Sequence, residues 1–168
     1  MSPLIVAVVL AIMVATSFLS GIFGMAGGMI LIGVLLALLP LPQAMVLHAV
    51  TQMASNGWRA ALWWRYIRWR PALAYMAGCG VVLSLWTFAL YVPEKPIALL
   101  MLGVTPFLAR LSPPGFTPDP TSKVQCATYG VICQTLLLMT GVSGPLLDTF
   151  FLGGGKMDRR EIVATKAT

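Results

Sequence analysis

Apolar positions run through this chain in long blocks rather than in a helical or strand rhythm, at about 4–20, 25–39, 43–64, 72–92, 96–110, 124–140 and 145–152. A membrane-crossing helix needs about 20 such residues. Segments 43–64 and 72–92 meet that length. Segments 25–39 and 96–110 are shorter, about 22 Å each by helical rise, and suit half-helices or spans that start inside the protein. Pro40 and Pro42 punctuate one turn, Pro93 and Pro96 another, and Pro106 is placed to kink segment 96–110. The stretch 112–123, SPPGFTPDPTSK, is proline-rich and aperiodic and reads as a loop. It divides the chain into 1–111, a first transmembrane repeat, and 124–168, the start of a second.

Composition turns the pattern into a class. Mean hydropathy is +0.88. Hydrophobic residues make up 58% and charged residues 10%, whereas a soluble domain carries roughly a quarter charged. The reading is an all-α integral membrane protein, a polytopic helical bundle. The first apolar run lacks a basic n-region and others follow it, so it reads as a retained helix rather than a signal peptide.

The net charge of +6 reports topology here rather than nucleic-acid binding, because Lys and Arg collect in cytoplasmic loops. Arg59, Arg65, Arg68 and Arg70 surround the turn after 43–64. Arg110 and Lys123 flank the proline-rich loop, and Lys156, Arg159 and Arg160 follow 145–152. With the N-terminus outside and every segment crossing, all of the eleven Lys and Arg except Lys95 fall on the cytoplasmic side of an inner membrane. Trp58, Trp63, Trp64, Tyr66 and Trp69 form an interfacial belt around the first basic loop. Cys79, Cys126 and Cys133 read as small buried hydrophobes. No Cys or His spacing suits a metal, and no cofactor is expected.

The chain also resembles itself. LSGIFGMAGGMIL at 19–31 and MTGVSGPLLDTFF at 139–151 both carry G-x-x-G, at Gly21/Gly24 and Gly141/Gly144. AMVLHAVT at 44–51 aligns with EIVATKAT at 161–168, so that His48 matches Lys166. Chance similarity between apolar segments is the plain alternative. As a true repeat, the second copy follows five segments and is inverted, the architecture of many transporters with discontinuous helices. Glycine breaks at Gly21–Gly28 and 141–145 then expose helix N-termini, whose unpaired N–H groups and dipole suit an anion.

These stretches resemble the TauE/SafE sulfite exporter family of membrane permeases, through GIFGMAGGMILIG, HAVTQMASNGWRAALWW and GVSGPLLDTFFLGGGKMDRREIVATKAT. The resemblance implies a permease for small sulfur-containing anions such as sulfite, sulfonate or thiosulfate, with glycine-rich turns near the substrate path. It carries Gly24, Gly27, Gly28 and Gly144 over as substrate-binding positions. Gly144-Pro145-Leu146-Leu147-Asp148 holds less glycine than the family pattern, which bears on substrate class. The resemblance covers the first half of that pattern and the opening of the second. The expectation is therefore a truncated chain that needs a missing C-terminal half, a homo-oligomer or a second polypeptide.

Polar residues inside apolar segments complete the candidate site. His48, Gln52, Ser55 and Asn56 share one helix face, to line a path or to bond neighbouring helices. Arg59 ends the stripe, to draw anions in or to snorkel outward. Asp148 is the one acid in an apolar segment, a proton-coupling group or a carboxylate facing a helix end or water. Close helix packing explains Gly24 and Gly28 without any ligand. The partners expected are a small anion and the lipid bilayer, with no nucleic acid. The alternatives are a non-transporting fragment or assembly subunit, and an intramembrane serine protease with Ser143 in GVSG as nucleophile and His48 as base. The chain order disfavours the protease.

Overall fold

Glycine and proline set the boundaries of the helices. In the computed structural model the described residues are 3–23, 26–89, 91, 93–108, 118–153 and 157–168. Among them there is no strand. The helices are α1 (Pro3–Phe23), α2 (Ala26–Leu38), α3 (Leu41–Leu62), α4 (Trp69–Ala89), α5 (Lys95–Leu108), α6 (Lys123–Thr140), α7 (Gly144–Gly153) and α8 (Arg159–Lys166), with a 3-10 turn at Trp64–Tyr66. Pro40 ends the α2–α3 link and starts α3, where a missing N–H is tolerated. Ser122 caps α6 through the Gln125 amide. An Asp158–Glu161 capping box opens α8. Helix α5 continues through Pro106 to Leu108. Half of the proline-rich loop, 112–117, lies outside the described residues.

Apolar side chains bury in two clusters. The first holds Val9, Leu31, Ile32, Leu35, Leu36, Ala44, Ala98 and Leu102, so α2 is wrapped by α1, α3 and α5. The second holds Cys126, Cys133, Leu147, Phe150, Phe151 and Ile162, with Tyr75 and Tyr129 against it. Val142 belongs to the first cluster although its helices belong to the second. Helices α4 and α6 make the closest crossing. A Cβ on Gly78 would collide with the Ala127 carbonyl, and one on Gly130 with the Tyr75 carbonyl. Small residues let two backbones approach in this way where no hydrophobic force drives helices together. The three cysteines are free, with Cys126 and Cys133 fully buried.

The outer faces are as apolar as the core. Val14, Phe18, Met53, Phe88 and Leu100 are each 70–87% exposed. Water penalises such a surface and a lipid phase does not. Helix α4 is the one described helix that is both long and apolar enough to cross a membrane alone. Helix α3 has 22 residues, but its polar stripe lowers its hydropathy.

The two ends of the bundle differ. At one end Arg68 pairs with Glu161 at 2.8 Å and donates its backbone amide to Thr165. Arg160 reaches the Tyr66 hydroxyl and lies over the Trp63 and Tyr66 rings. Pro118 packs on Gly153 at the same end. The turns at 63–70, 118–122 and 157–160 therefore gather together. At the other end Lys95 donates to the Leu39 carbonyl, and Trp86 donates to the Tyr91 carbonyl.

Candidate functional site

Helix α3 supplies the polar face, and two interrupted helices meet it. Gly28, in the first turn of α2, lies against the α3 stripe: a Cβ there would be 2.9 Å from Gln52 Nε2 and 3.7 Å from His48 Cε1. Gly27 turns the other way, and a Cβ on it would strike the Thr16 carbonyl and Ser20 of α1. Gly27 thus serves close packing of α1 on α2, while Gly28 brings the α2 backbone against His48 and Gln52. Gly24 lies outside the described residues.

The second interruption sits against the same stripe. Gly141 ends α6 in the left-handed conformation, φ 79°, and sends its amide to the Leu137 carbonyl. That conformation suits glycine, which has no Cβ to clash. Thr140 holds the break together. Its hydroxyl lies 2.8 Å from the carbonyl oxygens of both Leu136 and Val142, and it accepts the Val142 amide at 3.0 Å. Helix α7 resumes at Gly144, which is buried.

His48 joins the two breaks. The residue is 5% exposed, and its ring lies against the Gly141 backbone. Its ring nitrogen Nδ1 is buried without a hydrogen-bond partner. A neutral imidazole that donates from one nitrogen offers the other as an acceptor. Among the described residues no hydrogen bond joins Ser143 to His48 Nδ1.

Contacts along α3 fix the directions of the short helices. Gly28 stands opposite His48 and Gln52, whereas Leu39 follows α2 next to the start of α3. Helix α2 therefore runs from the middle of α3 back to its N-terminal end. Helix α7 leaves the His48 level and runs the other way, because Gly153 reaches Pro118. With 13 and 10 residues, they measure about 20 and 15 Å, short of a bilayer's ~30 Å core. Both N-termini, each with a partial positive charge, lie near the His48 level of α3.

Farther along, Arg59 does not reach outward. Its guanidinium turns back along α3 to Ser55 Oγ at 3.1 Å and Asn56 Oδ1 at 3.4 Å. Asp148 of α7 forms an ion pair with Lys166 of α8, and Lys166 is close enough to Arg59 to feel its charge. Spacing on α3 foreshadows the Ser55–Asn56–Arg59 contact. The Asp148–Lys166 pair joins different helices and carries no local signal, and neither does the Thr140 latch. Among the described residues no three His, Cys, Asp or Glu side chains group to hold a metal.

Helices broken beside a polar stripe, inside a bundle with apolar outer faces, are the features of an all-helical membrane protein. The chain belongs to the sulfite exporter TauE/SafE family, whose sequence model matches residues 8–168. Proteins of that family are membrane transporters of sulfite-type anions. No curated protein and no solved structure matches the chain.

Proposed function

We propose that this chain is a permease for small sulfur oxyanions of the sulfite class, and that the anion binds where both helix breaks meet α3. The convergence of Gly28, His48 and Gly141 carries this reading. Two helix N-termini bring partial positive charge to the site. The Gln52 amide donates to an oxyanion oxygen, and His48 Nδ1 accepts the hydroxyl of a singly protonated oxyanion. Gly28 brings the α2 backbone up to the site. Gly27 and Gly144 place the two helix starts, and Asn56 continues the path toward Arg59. Proton coupling enters through Asp148, the acid of an otherwise apolar helix. The opposed short helices make an inverted repeat the natural description of the bundle, and an inner membrane its location.

Uptake of labelled sulfite into proteoliposomes, with and without an imposed pH gradient, tests the reading. Sulfite-dependent uptake lost in Gly28→Leu and in His48→Ala is the expected result. Uptake unchanged by both substitutions excludes this site. Lack of labelling of Ser143 by a fluorophosphonate is expected as well.

A further inference from the structure

Where α3, α7 and α8 meet, cations outnumber carboxylates. Helices α3 and α8 are in contact, which brings Arg59 and Lys166 near one another. Asp148 pairs with Lys166 alone. Among the described residues no carboxylate meets Arg59, whose partners Ser55 and Asn56 are neutral. The Lys166 side chain is 13% exposed and that of Asp148 27%. Like charges held together away from water repel strongly unless an anion intervenes. Arg59 also turns back along α3 to Ser55 and Asn56.

We propose that Arg59 and Lys166 form a second anion station, on the basic side of His48, in which Asp148 is a built-in competitor. With the station empty, the carboxylate holds Lys166. An oxyanion that bridges Arg59 and Lys166 takes the carboxylate's place, and Asp148 swings aside. One ion pair breaks as a stronger, doubly paired contact forms. The guanidinium fork matches two oxygens of a tetrahedral or pyramidal oxyanion, and the ammonium a third. The identity of the natural anion rests on the permease reading above; the station itself rests on the charge arrangement.

The full chain in detergent, with sodium sulfate as probe and sodium chloride at matched ionic strength as control, tests this by thermal unfolding. A ligand that binds the folded chain raises its unfolding midpoint. In Asp148→Asn the ammonium loses its partner, so the midpoint falls in chloride. Sulfate is expected to restore it, with an apparent affinity on the order of tenfold tighter than in the unsubstituted chain. In Arg59→Gln the sulfate response disappears, and Arg59→Lys recovers part of it. A merely structural ion pair gives an Asp148→Asn chain that sulfate does not rescue, and that result overturns the proposal, as does a chain that stays unfolded in sulfate. A full sulfate response in Arg59→Gln overturns it too. Labelled sulfite uptake separates the two readings. Sulfate rescue without any uptake sinks the permease and leaves the station. Uptake by a chain whose sulfate response ignores Arg59 sinks the station alone.

Discussion

Thr140 shows how much a single side chain decides at a helix break. The end of a helix leaves carbonyl and amide groups unpaired, and this one is buried: Thr140 is 0% and Val142 5% exposed. One hydroxyl satisfies groups on both sides of the break. Thr140→Val keeps the shape and strands the Val142 amide, so a loss of about 1–3 kcal/mol is expected. Thr140→Ser should retain most of that. Chemical unfolding of the detergent-solubilised chain measures both. Next to it, Gly141→Ala forces a Cβ into the left-handed region, which costs about 1–2 kcal/mol. The added methyl would also lie 3.0 Å from Met45 Sδ and 3.2 Å from Ile32 Cγ1. Because His48 lies against the Gly141 backbone, this substitution is expected to impair sulfite uptake more than its stability loss explains. Gly141 in G-x-x-G is visible in the sequence as a break. Thr140 is not, since its role depends on a chain reversal that no local pattern encodes.

At the scale of elements, the boundaries of the helices were legible because proline and glycine interrupt apolar runs. Segments 25–39, 124–140 and 145–152 return as α2, α6 and α7 within a few residues. What was not legible is which glycines matter to packing. Gly33, Gly57, Gly78, Gly80, Gly103 and Gly130 all lie within apolar helices, yet only Gly78 and Gly130 sit where another backbone closes in. Sequence supplies no partner helix, so it cannot separate a contact glycine from an idle one. Gly78→Ala and Gly80→Ala make the comparison on one helix. The first should push α4 from α6 and destabilise by about 1–3 kcal/mol or more. The second meets open space and should stabilise by up to about 1 kcal/mol through helix propensity. Unfolding midpoints in the same detergent check the pair, and equal effects would mean that the α4–α6 crossing does not limit stability. Polar positions divide in the same manner. The His48–Gln52–Asn56 stripe is periodic and therefore readable, whereas the turn of Arg59 back along α3 follows from partners one turn behind it.

For the whole molecule, the gathering of basic turns at one end predicts an orientation. The turns at 63–70 and 157–160 touch through Arg68–Glu161 and Arg160–Tyr66, and Lys95 sits at the opposite end beside Leu39. Helix α4 joins the two ends, and its 21 residues extend about 31 Å, enough to cross the hydrocarbon core. Helices α1 and α2 fold back on each other through Gly27 and Thr16. A hairpin that goes in and returns leaves the chain on the same side as two full crossings, so the orientation is unaffected by how deep α2 reaches. Positive charge remains preferentially on the cytoplasmic side. A cysteine at Arg70 should therefore be labelled by a membrane-impermeant maleimide from the cytoplasmic face only, and one at Glu94 from the opposite face only. Background is low because Cys126 and Cys133 are buried and Cys79 is half-buried. Labelling of both positions from one face would mean that α4 does not cross, and would remove the frame in which Arg59 and Lys166 stand between His48 and the cytoplasm.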